Sequence, residues 1–151
     1  MLGFVASDRG SRQMVDAEDV LGRVSLFAGV RPKDLRKLAR DAHELSFAAG
    51  TTLTEDDGFG TTFFVVVEGN VEIAVGGQKV RSVGPGEFFG EVALIDRDSR
   101  SATAKAVTQT SCLVFSRPVF RPFAHNHPEV AWALLELMVS RVREAEARTV
   151  G

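Results

Sequence analysis

The sequence predicts a mainly β protein with flanking helices, its strands forming a sandwich or a barrel closed on itself. Three observations carry this. Between residues 44 and 116 the chain breaks into short runs rich in Val, Ile, Thr and Phe, separated by glycine-bearing turns. Apolar residues recur at helical spacing on either side of that stretch. With 44% hydrophobic and 25% charged residues in 151, the composition is that of one globular domain with a sizeable core.

The elements follow in order. Residues 1–15 are polar without a sustained period and read as a flexible lead-in. A single domain is expected over 16–151, with helices in 16–43, a β-barrel in 44–116 and C-terminal helices in 117–148. A helical pattern begins at Asp16 and places Val20, Val24 and Phe27 on one face until Gly29 breaks it. Pro32 opens a second short helix, because a first turn needs no amide from it. Its Lys33, Arg36, Lys37 and Arg40 form a basic stripe, read as a solvated face. Strands are expected near 44–48, 51–54, 61–67, 70–75, 79–83, 102–107 and 110–116. Gly76-Gly77 makes a tight hairpin, since both central positions of that turn want positive φ. Ser116 is a candidate N-cap ahead of a short helix containing Pro118, and Pro128 starts a longer one. There Ala131, Leu134, Leu135, Met138 and Val142 form an apolar stripe that needs a partner, either the barrel or the same helix of a second chain. Trp132 reads as a core or interface aromatic.

Several function classes drop out. No apolar run approaches the roughly 18 residues of a membrane helix. The first residues lack the basic start and apolar core of a signal peptide. The single cysteine, Cys112, excludes an internal disulfide and fits a reducing cytoplasm. A net charge of -2 argues against a duplex-DNA binder. Cys112 lies in the strand-like run SCLVF, where a buried, inert thiol is the default. No nucleophile elbow is present, and no enzymatic activity is expected. His125-Asn126-His127 with Glu129 has the look of a metal set, but the remaining histidine, His43, falls in the helical lead-in and the pair sits between helices. A polar turn is the better reading, and no metal is expected.

The chemistry-bearing segment is FFGEVALIDRDSRSAT, residues 88–103. The short apolar turn EVALI is too brief to be a stable helix alone. Gly90 permits close backbone approach, and the amides after it begin a helical turn suited to an anion. Arg100 offers a planar fork of donors for phosphate oxygens. Ser101 adds a hydroxyl and Ala102 leaves room. Glu91 only accepts hydrogen bonds, so it suits a sugar hydroxyl and repels phosphate. An anion clamp and a hydroxyl clamp together describe a receptor for a sugar phosphate.

FGE followed by RSA after eight residues resembles the phosphate-binding cassette of the cyclic nucleotide-binding domain family. That family includes the catabolite activator protein and the regulatory subunits of protein kinase A. The resemblance covers about residues 20–147, with its features in order: N-terminal helices, EGNVEIAV, VGPGEFFGE, the cassette, two strands and C-terminal helices. It implies that Glu91 holds the ribose 2′-hydroxyl and that Arg100 pairs with the exocyclic phosphate oxygens. Ser101 and the amides near Ala102 complete the cradle, Gly90 and Val92 shape the ribose side, and Ile73 and Val83 line the pocket. It implies a β-roll or jelly-roll barrel with N-terminal helices and a C-terminal lid helix over the base, whose capping residue falls near Arg141 to Arg148. Ser99 departs from a proline frequent in the family, which loosens the loop without removing a ligand contact. RSA resembles binders of adenosine 3′,5′-cyclic phosphate (cAMP), whereas RTA often accompanies the guanosine analogue (cGMP). The expected ligand is cAMP, with cGMP as the alternative.

The expected function is a cytoplasmic regulatory domain in signal transduction that switches its C-terminal helices for a protein effector not identifiable from the sequence. A nucleotide-free dimerisation barrel of the same fold is the alternative. Relatives with this barrel commonly continue into a helix-turn-helix, whereas this chain stops at Gly151. Direct DNA binding is therefore not expected, and either a stand-alone sensor or a domain of a longer protein fits.

Overall fold

The computed structural model describes residues 16–53, 62–91 and 102–150. The expected lead-in over 1–15 lies outside them, as do Val92 to Ser101 of the cassette. The N-terminal helices are α1 (Ala17–Gly22), a 3-10 turn (Ser25–Phe27) and α2 (Pro32–Arg40). Among the described residues the strands that follow are β1 (His43–Phe47), β2 (Thr62–Glu68), β3 (Val71–Val75), β4 (Gln78–Val83), β5 (Phe88–Phe89), β6 (Ala102–Ala106) and β7 (Thr110–Ser116). Two helices close the chain, α3 (Arg117–His125) and α4 (Pro128–Val150).

The strands form two antiparallel sheets, ordered β1-β7-β2-β5 and β4-β3-β6. This is the mainly β architecture with flanking helices that the sequence predicts. Its first sheet is a wall shared by two cores. Phe63 and Val65 of β2, with Leu113 and Phe115 of β7, pack against the helices. Phe64 and Val66, with Cys112 and Val114, face the second sheet and meet Phe47, Val71, Ile73, Val83 and Phe89. A strand covered on both faces has no polar side to show, which is why TTFFVVV reads as an unbroken apolar run. Each large side chain so buried contributes about 1.5–3 kcal/mol. Phe63 stacks on Phe120 with ring centres 4.4 Å apart, and Phe64 on Phe89 at 4.5 Å.

The turns obey their residues. Gly76 and Gly77 take φ of 60° and 83° between the paired Val75 and Gln78. Gly69 takes φ of 98°, and a Cβ there would lie 2.5 Å from the Gln109 carbonyl oxygen, so only glycine fits.

Four expectations need correction. The first helix does not run through Phe27: it ends at Gly22, and Val24 precedes a separate 3-10 turn. His43 opens β1 and is not in the helical lead-in, because α2 stops at Arg40. The expected strand near 51–54 contributes, within the described residues, only a bridge from Thr52 to Lys105. Backbone bonds from Gly50 to Ala106 and from Leu53 to Ala104 hold it along β6. The apolar stripe of α4 is not one surface. Leu134 packs into the helical core and Met138 is half-buried, while Ala131, Leu135 and Val142 face outward.

Ser116 stands at the N-cap of α3 without a side-chain capping bond. Pro118 and Pro128 lie in the first turns of α3 and α4. Trp132 is 63% exposed, which removes the core alternative for it in this chain. Among the described residues no helix is long and apolar enough to cross a membrane.

Candidate functional site

Gly90 ends the edge strand β5 with φ of 93°. A Cβ at that position would press into the Thr62 carbonyl oxygen of neighbouring β2, so glycine is required twice over, by dihedral and by space. The turn it makes carries Glu91 off the sheet and inward, where the residue is only 1% exposed.

A buried carboxylate is costly unless cations and donors compensate it. Two arginines do so here. Arg141 of α4 donates from Nη1 to Glu91 Oε2 at 2.6 Å. Arg81 of β4 brings Nη2 to 3.8 Å from the same oxygen. The other oxygen, Glu91 Oε1, is buried without a hydrogen-bond partner among the described residues. An ionised carboxylate oxygen accepts and never donates, so Oε1 can take a hydrogen bond from a hydroxyl or amine. Both arginines keep about a quarter of their side chain exposed. Burial presses the pKa of Arg81 below the ordinary arginine value and the Arg141 charge adds to this, while Glu91, Glu144 and Glu87 pull it back up.

The pocket-lining expectations fall as follows. Ile73 and Val83 are buried between the sheets, in the same core as Phe89. Ile73 pairs with Arg81 across the β3–β4 ladder and Val71 with Val83, with the register shifting just after Ile73. Ala102 opens β6 opposite Val75 and is exposed. Val92, Arg100 and Ser101 lie outside the described residues.

Arg81 was not among the residues expected from the sequence. Its signal was available: Val83 faces inward, and a strand returns to the same face every second residue. Arg141 belonged to the expected capping range, and helical spacing singles it out. It follows Leu134 by seven residues, two turns along the face that packs on the body.

Of the two histidines, His127 is used structurally. His127 Nδ1 lies 2.9 Å from the Phe123 carbonyl oxygen, its ring stacks on Phe123 at 4.2 Å, and Nε2 lies 3.4 Å from Asp34 Oδ2. This ties α2 to the junction between α3 and α4. His127 holds the Asp34 carboxyl below the usual carboxylate value; burial opposes that and Arg31 assists it. Among the described residues no group of three His, Cys, Asp or Glu side chains is arranged to hold a metal. Cys112 is fully buried, and burial pushes its thiol up to about 12.

An antiparallel double sheet with a glycine-presented, inward glutamate and a C-terminal helix reaching back to it defines a ligand-binding regulatory module. The family model for the cyclic nucleotide-binding domain matches residues 44–127. The chain belongs to that family, whose domains are regulatory and not enzymatic. It is 25% identical over 131 residues to the CRP-like cAMP-activated global transcriptional regulator of Mycobacterium tuberculosis, covering 83% of this chain and 58% of that protein. The Thermus thermophilus catabolite activator protein superposes with a TM-score of 0.70 at 30% identity, over 82% of this chain and 61% of that one. The N-terminal domain of a Streptomyces coelicolor transcriptional regulator does so with a TM-score of 0.62 at 34% identity, over 84% and 94%. The chain thus spans less than two thirds of the mycobacterial regulator.

Proposed function

We propose that this chain binds a cyclic nucleotide, with cAMP as the ligand, and passes its presence to a protein effector through the C-terminal helices. The observation that carries the reading is the buried Glu91 Oε1, which has no hydrogen-bond partner among the described residues. It supports a hydroxyl donor such as the ribose 2′-OH, the group the cassette resemblance assigns to Glu91. The mycobacterial relative is named for activation by cAMP, and the RSA sequence supports the same base. Arg100 and Ser101 take the cyclic phosphate in this reading, with Gly90, Val92 and Ala102 shaping the cradle and Ile73 and Val83 the wall. In this reading no metal takes part and the domain works in the cytoplasm.

The switch we propose runs through Arg141. It already bridges α4 to the carboxylate that receives the ligand, so ligand and helix meet on one side chain. A ligand shifts α4 only as far as it prefers one of its positions. Hydrogen exchange over residues 117–147 tests this: protection is expected to change on adding cAMP, and equal protection in both states rejects the switch.

Thermal unfolding with and without cAMP or cGMP tests binding itself. Ligand at 100 times its Kd adds about 2.7 kcal/mol of stability. Arg100→Ala is expected to abolish the shift while the melt stays cooperative. An unchanged affinity in that variant removes Arg100 from the site.

A second reading, a nucleotide-free dimerisation barrel, is favoured by one observation. Trp132, Leu135, Val139 and Val142 are exposed on α4 at spacings of three, four and three, the seam of a two-helix coil. We propose a homodimer through this seam as compatible with sensing. Absence of any thermal shift with both nucleotides leaves the dimerisation reading alone.

A further inference from the structure

The junction between α3 and α4 is tied to α2 through one side chain, and that side chain can change its charge. His127 keeps only 16% of its side chain exposed, and both ring nitrogens face acceptors. Nδ1 lies 2.9 Å from the Phe123 carbonyl oxygen, and Nε2 lies 3.4 Å from Asp34 Oδ2. A neutral imidazole carries one N–H and one bare lone pair, so it serves only one of these two acceptors and points a lone pair at the other. The imidazolium carries two N–H groups and serves both. Phe123 stands in the last turn of α3, an end of a helix that favours a cation.

The other charges around the junction set the alternative. Arg31 approaches the same Asp34 oxygen with Nε and Nη2, each at 3.4 Å and from only three residues away. Elsewhere on α2, Lys33 and Lys37 are exposed and Arg36 is paired with Glu18 of α1. This end of α3 carries Arg121 and His125, and the first turn of α4 carries Glu129, all exposed. The 3-10 turn, Ser25–Phe27, brings no charged residue. A ring that gives up its proton therefore leaves Asp34 to Arg31, a contact within one stretch of chain, and the tie between α2 and the junction is lost.

We infer that His127 and Asp34 form a proton-operated latch that holds α2 to the α3–α4 junction, closed while the ring carries both protons and opened as pH rises through the range of about 5 to 8 in which histidine discharges. Opening frees the point where the two C-terminal helices meet. The latch does not depend on the nucleotide reading, and its failure leaves that reading standing.

Hydrogen exchange of the full chain at about pH 6 and about pH 8, corrected for intrinsic rates, tests it across that range. The proteins compared are the wild type, Asp34→Asn, His127→Gln and His125→Gln. In the wild type, protection over residues 32–40 and 123–131 is expected to fall at least about fivefold from the lower pH to the higher, the low end of ordinary coupling between sites. Asp34→Asn removes the carboxylate and His127→Gln the titrating ring, so each is expected to give equal protection at both pH values. Either variant suffices should the other not fold. His125→Gln changes the exposed neighbour and is expected to keep the wild-type fall. Equal protection at both pH values in the wild type overturns the latch. A fall that persists in Asp34→Asn or His127→Gln, or that vanishes in His125→Gln, overturns it as well.

Discussion

Glu91 shows how one residue is fixed by its neighbours' chemistry. Gly90 turns it inward, two guanidiniums compensate it, and one oxygen has no hydrogen-bond partner among the described residues. Gly90→Ala is expected to destabilise the fold by at least about 1–3 kcal/mol in urea titration, since it adds a forbidden dihedral to a backbone clash. Arg141→Ala is expected to cost less than the roughly 3–5 kcal/mol of breaking an isolated buried pair, because Arg81 remains beside the carboxylate. A loss as large as that range would mean Arg81 provides no compensation. Cys112, with its thiol pushed up to about 12, is expected to resist a thiol reagent at pH 8 in the folded protein and to react fully in denaturant. At this scale the sequence was readable where chemistry is local. Glu91 stood out beside its glycine, whereas Arg81 did not, because its importance depends on a strand register that brings β4 beside Glu91.

Among the elements, legibility followed length and pattern. β2 and β7 were readable within a residue because their β-branched and aromatic runs exclude helix. β5 was missed, since two residues, Phe88 and Phe89, give no periodicity to see. α4 was readable as a helix but not as a two-faced one: Leu134 and Leu135 are neighbours in sequence and end up on opposite sides. A helical wheel allots apolar residues to a stripe without saying which edge meets the body. The contact of α2 with the α3–α4 junction was also invisible, as Asp34 and His127 are far apart in sequence. That contact gives a pH prediction. The Asp34 carboxyl is held below its ordinary value in the folded state, so its stabilisation is complete above the unfolded value near 3.8. It is lost as pH falls from there through the depressed folded value. Asp34→Asn is therefore expected to flatten the acid limb of a stability–pH curve below about pH 4, and an unaltered limb in that variant contradicts it.

For the molecule as a whole, the class and the order of parts were evident from the glycine punctuation and the FGE…RSA spacing. Which face of α4 is left for a second chain was not, because that emerges only once Val130 and Leu134 have packed into the helical core. Sedimentation at micromolar concentration is expected to show a dimer, and Leu135→Glu or Val139→Glu a monomer with an intact melt. A monomeric wild type contradicts the proposed seam. The shared first sheet has a further consequence. Phe63 and Phe64 are successive residues on one strand, each anchoring a different apolar reservoir. Neither reservoir can empty while its sibling stays filled, since β2 must leave both at once. Heat should therefore produce a single calorimetric peak whose van't Hoff and integrated enthalpies coincide, with no separately melting helical cap.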